Sequence, residues 1–143
     1  GNNAHTHPFV SVYEAYKKSG PNVLGVEALQ GDDGCTGVKV NTADGYADYL
    51  FSATDMQAHH PSKRVSFCGG LGLIREKEGQ IQLMYLGCGR SLKKGNFVLE
   101  SDHDVYAAIY MQHGVWYYSA TGPVRVKIGK ETKELNEGYN QKL

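Results

Sequence analysis

Ten tyrosines and a single tryptophan, Trp116, are the residues of this sequence whose chemistry stands out. An exposed aromatic ring on a rigid β-strand can stack its flat apolar face on the C–H groups of a sugar, while its polar rim stays in water. Alternate side chains of a strand point to opposite faces, so Trp116 and Tyr118 would share one face and Tyr117 would lie on the other. Trp116, Tyr117 and Tyr118 are therefore the candidates for a carbohydrate-binding surface. We favour the alternative, in which Trp116 is the largest core residue and the tyrosines lie at the edge of the core.

A second group of tyrosines offers a different kind of site. Tyr49, Tyr85, Tyr106 and Tyr110 all fall in runs with strand-like alternation. If their hydroxyls lined a closed pocket, the chain could be a small β-barrel or sandwich that binds a sugar or an apolar ligand inside. A close-packed interior would count against this alternative.

The six histidines do not form a recognisable metal motif. His5 and His7 would share one face of a strand, and His59 and His60 would point to opposite faces. A metal site needs three or four convergent ligands, and no such set is visible, so we expect surface or capping histidines and no metal.

Acid–base chemistry has one candidate stretch, Asp102-His103-Asp104. These residue types also accumulate in turns for conformational reasons alone. The sequence has no nucleophile elbow, no phosphate-binding glycine loop before a helix and no HExxH motif. We therefore predict no catalytic residue and no cofactor, and a small enzyme that uses a tyrosine and His103 is the weakest alternative.

Two further groups could bind a ligand or form a crosslink. Arg90, Lys93 and Lys94 lie in a basic run that could contact an acidic polymer, although three charges in a glycine-containing loop are commonly just solvated.

The three cysteines lack CxxC spacing. A Cys68–Cys88 disulfide is possible in an oxidising compartment, but we favour three buried thiols, because free cysteine packs as a small hydrophobic residue.

The elements that would position these residues are β-strands. The stretch Leu71 to Cys88 contains two alternating runs around the polar, glycine-containing turn at Gly79, which is typical of a β-hairpin. Val105 to Met111 and Val124 to Ile128 alternate clearly as well. About ten short strands spaced by roughly ten residues predict an all-β fold, an antiparallel β-sandwich or, as the alternative, a barrel.

The domain organisation is simple. We predict one β-sandwich domain over 9–135, a disordered or tag-derived segment over 1–8 and a loose polar tail over 136–143. Phe9 to Tyr16 is open between strand and the end of a helix from its residues alone.

Composition excludes several classes of protein. Fifteen basic residues balance fifteen acidic ones, so the chain has no net positive charge that would attract nucleic acid or an anionic membrane. No apolar run approaches the roughly 20 residues of a membrane-spanning helix.

Several stretches resemble a known family. The runs FVSVYEAYKKSGPNVLGVEALQ and GVKVNTADGYADYLFSATD, followed by the glycine-rich hairpin and YLGCGRSLKKG, are similar to the C-terminal β region of heparinase II/III-like polysaccharide lyases. The resemblance covers roughly Phe9 to Ile128, and Ala15 stands where the family often has proline. It favours a strand for Phe9 to Tyr16.

The resemblance implies a function for the chain. It would be a non-catalytic C-terminal β-sandwich domain of a secreted polysaccharide lyase, acting as structural support or as a weak glycan-binding module. Such lyases carry an α/α toroid that removes the proton α to a uronic carboxylate with a Tyr or His base. We match none of the family's catalytic positions here. The implied partners are an acidic polysaccharide and the N-terminal catalytic domain of the parent chain, in the periplasm or outside the cell.

Overall fold

The computed structural model describes residues 20, 22–29 and 34–143. This part of the chain contains ten β-strands and no helix. The strands are β1 (Val23–Leu29), β2 (Cys35–Thr42), β3 (Tyr46–Ala53), β4 (Val65–Lys77), β5 (Gln80–Lys94), β6 (Phe97–Gln112), β7 (Val115–Ala120), β8 (Val124–Ile128), β9 (Glu131–Leu135) and β10 (Gly138–Lys142).

All strand pairs are antiparallel, and β6 divides the sheet into two branches. Strands β1 to β6 pair in chain order. The first part of β6 then pairs with β8, which pairs with β9, whereas its last part pairs with β7, which pairs with β10. The predicted all-β class with antiparallel strands in a sandwich is confirmed.

The long strands β4 and β5 bend sharply where two glycines face each other. Gly69 and Gly89 are direct partners at a register shift. The Phe67 ring reaches Gly72, where a Cβ atom would lie only 3.0 Å from Phe67 Cε2. In a straight strand these residues would be about 16 Å apart, so the strand folds back on itself. The bend lets the two halves of the sheet enclose a core.

That core draws on both sides of the bend. Phe67 and Leu92 come from one side of β4 and β5, and Ile74 and Met84 come from the other, and all four are fully buried in the same cluster. Close packing of apolar side chains from both layers is the main source of stability in such a fold.

The hairpin predicted between Leu71 and Cys88 is present as β4 and β5. Its two-residue turn, Glu78-Gly79, has positive φ at both positions, as a tight hairpin turn requires. The strands are longer than expected. The residues from Val65 to Gly69 belong to β4, and the basic run after Gly89 belongs to β5 rather than to a loop. Glycines and bulges bend these strands without ending them.

The polar segment 136–143 is not a loose tail, which corrects the prediction. Gly138–Lys142 forms β10 along the edge of β7, and the Leu143 amide donates a hydrogen bond of 2.9 Å to the Trp116 carbonyl. Backbone pairing stabilises this segment although few of its side chains are apolar. The expectations for 1–8 and for a strand at Phe9 to Tyr16 fall outside the described residues.

A search of the described residues for a helix of the length and apolarity needed to cross a membrane finds none.

The glycine contact at the bend yields a stability prediction. A Cβ atom on Gly89 would lie 2.6 Å from Leu86 Cδ1 and 2.8 Å from both the Cys68 carbonyl oxygen and Gly69 Cα. Because backbone atoms cannot move aside cheaply, we expect Gly89→Ala to lower the free energy of unfolding by about 1–3 kcal/mol. Urea denaturation measures this change. Gly25→Ala is the matched control, since no atom lies within 4 Å of its Cβ position. Equal stability of the two variants would contradict the assignment of the bend.

Candidate functional site

The outer face of the sheet formed by β5, β6, β7 and β10 carries the tyrosines. Met84 and Ile109 are fully buried on the inner face, so their chain neighbours Tyr85 and Tyr110 lie outside. Tyr85 lies directly opposite Ala108, and Ala108 lies opposite Ser119. Large rings thus stand beside small side chains on one face.

These residues line an open cleft of about 600 Å³. Tyr85, Tyr106 and Tyr139 form its aromatic walls, and the side chains of Tyr106 and Tyr139 are 54% and 77% exposed. The other lining residues are small or polar: Ala107, Ala108, Ser119, Ala120, Thr121, Glu137 and Gly138. We call this site, with the residues just named, the tyrosine cleft.

Backbone contacts hold two walls of the tyrosine cleft in place. The Tyr106 amide donates a hydrogen bond of 3.0 Å to Thr121 Oγ1, and the Thr121 amide donates one of 3.0 Å to the Tyr106 carbonyl. The Tyr85 ring lies over Gly87, where a Cβ atom would come within 3.0 Å of Tyr85 Cε1. The absence of a side chain at Gly87 therefore makes room for this ring.

The third wall depends on an irregularity in β10. The register with β7 shifts between Gly138 and Gln141, and Asn140 has a φ of 49°. The Asn140 amide donates a hydrogen bond of 2.9 Å to Ser119 Oγ, and the Tyr110 hydroxyl donates to Asn140 Oδ1. These bonds hold the bulge that places Tyr139 at the rim of the cleft.

The aromatic surface continues past the cleft. Tyr110 and Tyr117 are direct cross-strand partners, with ring centroids 6.0 Å apart and ring planes 17° apart. Near-parallel rings on adjacent strands make a flat platform next to the tyrosine cleft.

The structure separates the three residues of the predicted carbohydrate-binding surface. Trp116 packs against the core, with its ring centroid 6.0 Å from that of Phe97. Tyr118 is buried, and its hydroxyl donates a hydrogen bond of 3.1 Å to the Asn136 carbonyl. Tyr117 alone lies on the outer face, beside Tyr110. A carbohydrate-binding role for Trp116, Tyr117 and Tyr118 stays a prediction.

Three of the four tyrosines of the predicted internal pocket do come together, but outside the core. Tyr85 and Tyr106 line the cleft and Tyr110 lies next to it. Tyr49 is elsewhere, packed against the core with Lys94 Nζ 4.1 Å from its ring centroid. Sequence alternation gave the face of each tyrosine on its own strand, whereas grouping them needs the register between β5 and β6.

The basic residues Arg90, Lys93 and Lys94 each have an acidic partner. Arg90 Nε donates a hydrogen bond of 2.8 Å to Asp104 Oδ1, which raises the pKa of the guanidinium. Lys93 Nζ lies 3.2 Å from Glu100 Oε2, and Lys94 pairs with Glu76. A contact between these residues and an acidic polymer stays a prediction.

Glu100 illustrates how these ion pairs change the pKa of a carboxyl group. Burial alone would raise its pKa, but hydrogen bonds from Arg125 and Lys93 outweigh burial, so the pKa of Glu100 is lowered. Its carboxylate thus stays ionised and partnered at neutral pH.

The stretch Asp102-His103-Asp104 lies in a bulge of β6. Between two neighbouring pairs of the ladder, β5 advances from Gly89 to Ser91 while β6 spans Glu100 to Val105. Asp102 and His103 are exposed there, and Asp104 is held by Arg90. The neighbouring Ser101 hydroxyl accepts a hydrogen bond of 3.2 Å from the His103 amide and donates one of 2.7 Å to the Pro123 carbonyl.

No group of three or more His, Cys, Asp or Glu side chains in the described part of the chain is placed to hold a metal ion. His59 differs from the expected surface histidine, because it is buried with Nε2 2.7 Å from Asp55 Oδ1. Its backbone forms an isolated bridge to Phe67 of β4, which draws the histidine inward.

The cysteines are less buried than predicted. Cys35 and Cys68 are partly buried and Cys88 is exposed. Cys68 and Cys88 are separate thiols in this structure, and Cys68 Sγ lies 3.2 Å from the Met56 carbonyl oxygen. Cys88 sits between two glycines with a φ of 49°, which turns its side chain out of the ladder.

Comparison with known proteins gives a family match. The family model described as "Endo-acting ulvan lyase C-terminal domain" matches residues 23–111. The endo-acting ulvan lyase of Formosa agariphila is 33% identical over 101 residues, which is 66% of this chain and 12% of that protein. No solved structure matches the chain. The matched region covers β1 to β5 and most of β6, and includes Tyr85 and Tyr106.

The different environments of Cys68 and Cys88 predict different reactivity. Burial raises the pKa of the Cys68 thiol, so less of it is thiolate at a given pH. We expect iodoacetamide at pH 8 to alkylate Cys88 faster than Cys68, as measured by peptide mass spectrometry over time. Cys88→Ser controls the assignment of the fast phase. Faster labelling of Cys68, or joint protection of both thiols in an oxidising buffer, would contradict separate thiols.

Proposed function

This chain belongs to the endo-acting ulvan lyase C-terminal domain family, and we propose that it is a non-catalytic accessory domain that binds glycan in the tyrosine cleft. The chain spans 12% of the length of the curated relative it matches, so the lyase activity belongs to a larger protein. The accessory role covers both structural support and weak glycan binding.

The observation that carries the proposal is the tyrosine cleft itself. Three rings stand around a floor of small residues on a rigid sheet, and two of the rings are at least half exposed. Sugars are bound by flat apolar ring faces combined with a few hydroxyl and amide hydrogen-bonding groups. The cleft volume of about 600 Å³ falls within the range of small-ligand sites.

The chemistry of elimination is assigned to another part of the parent enzyme. A lyase needs a base aimed at the proton α to a uronic carboxylate, with a group that stabilises the resulting charge. In the described ranges, Asp104 is engaged by Arg90, and His59 is buried beside Asp55. Neither residue lines the cleft, and no described lysine, arginine or histidine lies beside Glu137 and the tyrosines in its lining to stabilise the charge that elimination develops.

We further propose that the parent enzyme is of the heparinase II/III-like type and is exported to the periplasm or beyond the cell. The support is the resemblance of the β1, β3 and hairpin sequences to that group. The acidic polysaccharide would be ulvan or a related uronate-containing polymer, by analogy with the relative's name.

The support role has its own surface, which is β1. Leu24, at the register shift between Val23 and Gly25, and Val26 are 70% and 49% exposed on this strand. In the described sheet order, β1 is the terminal strand. Because the family is a C-terminal domain and the relative is much longer than this chain, we propose that the preceding part of the lyase packs on the β1 face.

Glycan binding at the tyrosine cleft predicts a loss of affinity in two variants. Aromatic contacts contribute about 0.5–1.5 kcal/mol each, so Tyr106→Ala and Tyr139→Ala should weaken binding of ulvan roughly 2- to 12-fold. Isothermal titration calorimetry measures the Kd. Tyr46→Ala on β3 is the control, since Tyr46 is far from the cleft in the sheet order. Trp116 fluorescence should not shift, because Trp116 packs against the core. Equal Kd values for all variants, or no saturable binding by the wild type, would reject the proposal.

Packing of the lyase on the β1 face predicts that two substitutions affect the stability of the isolated domain and of the whole enzyme differently. We expect Leu24→Ser with Val26→Ser to leave the stability of the isolated domain within about 0.5 kcal/mol of wild type, since exposed surface substitutions usually do. In the full-length lyase the same pair should lower Tm, because an interface would lose apolar contact. Lys133→Ser, exposed on β9, is the control in both settings. An unchanged Tm of the full enzyme would argue against packing on β1.

A further inference from the structure

We propose that the tyrosine cleft selects an uncharged sugar face and disfavours the carboxylate-bearing units of the polymer. This inference rests on the proposed function, since it names the part of the glycan that the cleft accepts. It follows from the charges around the cleft rather than from its shape.

The lining of the cleft is almost free of charge. Among the described residues that line it, Glu137 is the only ionisable side chain apart from the tyrosines. The other polar side chains of the lining are neutral hydroxyls: those of Tyr85, Tyr106 and Tyr139, and those of Ser119 and Thr121, which also accept hydrogen bonds from the Asn140 and Tyr106 amides. Neutral hydroxyls suit sugar hydroxyls, whereas a carboxylate is normally bound by arginine, lysine or clustered amide groups.

The three cations of the basic run on β5 are engaged by acidic partners. Arg90, Lys93 and Lys94 pair with Asp104, Glu100 and Glu76, and none of the three lines the cleft. Lysine or arginine stands over the rings of Tyr46 and Tyr49. The described structure shows no such contact for the cleft tyrosines, so their rings are open to an apolar sugar face.

Glu137 adds a repulsive element. A sugar carboxylate placed in the cleft would meet a like charge, which raises the cost of desolvating it. A neutral sugar could donate hydrogen bonds from its hydroxyls to the same Glu137 oxygens. The single acidic side chain therefore discriminates against acidic units without excluding the chain that carries them.

One cation offers the competing explanation. Lys142 of β10 lies directly opposite Tyr117, just past the cleft on the same outer face. If the site bound acidic sugar units, Lys142 would be the residue that attracts their carboxylates. Selection of a neutral sugar face and binding of acidic units therefore predict opposite roles for Glu137 and Lys142.

The test uses matched polymers on the intact chain. Ulvan and carboxyl-reduced ulvan differ in the charge of the uronic units while keeping the rest of the polymer. We expect the reduced polymer to bind at least as tightly as ulvan by calorimetry. Raising NaCl from low to high concentration should not weaken binding of either polymer, because few ion pairs would be lost.

Two charge variants sharpen the result. Removing the repulsion with Glu137→Gln should tighten ulvan binding roughly 2- to 5-fold and leave the reduced polymer unchanged. Lys142→Gln should change neither Kd by more than about twofold. Glu27→Gln, exposed on β1, controls for net charge.

The outcomes separate the two proposals. Weaker binding of the reduced polymer, a loss of affinity in Lys142→Gln, or a steep fall in affinity with salt would overturn the selection of a neutral face. In those cases sensitivity to Tyr106→Ala would still support a glycan site. Absence of binding to both polymers, or binding insensitive to Tyr106→Ala, would reject the site and the inference together.

Discussion

The close approach of Gly69 and Gly89 is the contact on which the rest of the fold depends. These two residues pair where β4 and β5 bend, and a Cβ on either one would meet the backbone of the other at 3.0 Å or less. In a straight pair of strands, Phe67 and Leu92 would lie roughly 20 Å or more along the strands from Ile74 and Met84. Because the bend brings these side chains into one cluster, a sheet that is continuous in its hydrogen bonding can act as a sandwich.

The same bend shapes the outer face. Strands β5 and β6 place apolar residues inside and tyrosines outside by simple alternation, so the core fixes the direction in which Tyr85 and Tyr106 point. The floor of the tyrosine cleft is made of Ala108 and its small neighbours, and Gly87 leaves room for the Tyr85 ring. A rigid core on one face and open rings on the other suit a binding surface that need not reorganise when it meets a ligand.

Local patterns in the sequence predicted the strand class, the hairpin around Gly79 and the faces of β6, because each depends on neighbouring residues. The bend was not predictable, since it arises from a glycine pair 20 positions apart in sequence that only register brings together. The cleft was only partly predictable for the same reason. Tyr139 lies in a segment whose polar composition does not indicate a strand. This segment forms β10 through backbone pairing with β7 rather than through apolar side chains.

Charge is distributed unevenly over this neutral chain, and the distribution bears on function. Ion pairs such as Arg90–Asp104 and Arg125–Glu134 connect strands and bulges on parts of the surface away from the tyrosines. Exposed pairs of this kind contribute little stability, but each removes a cation that could otherwise attract an acidic polymer. Among its described lining residues the tyrosine cleft has no lysine or arginine, and two of its rings are at least half exposed. If the domain is attached, as proposed, to an enzyme that acts on an acidic glycan, a cleft without cations would hold the polymer by its neutral face and leave the carboxylates available to the catalytic part.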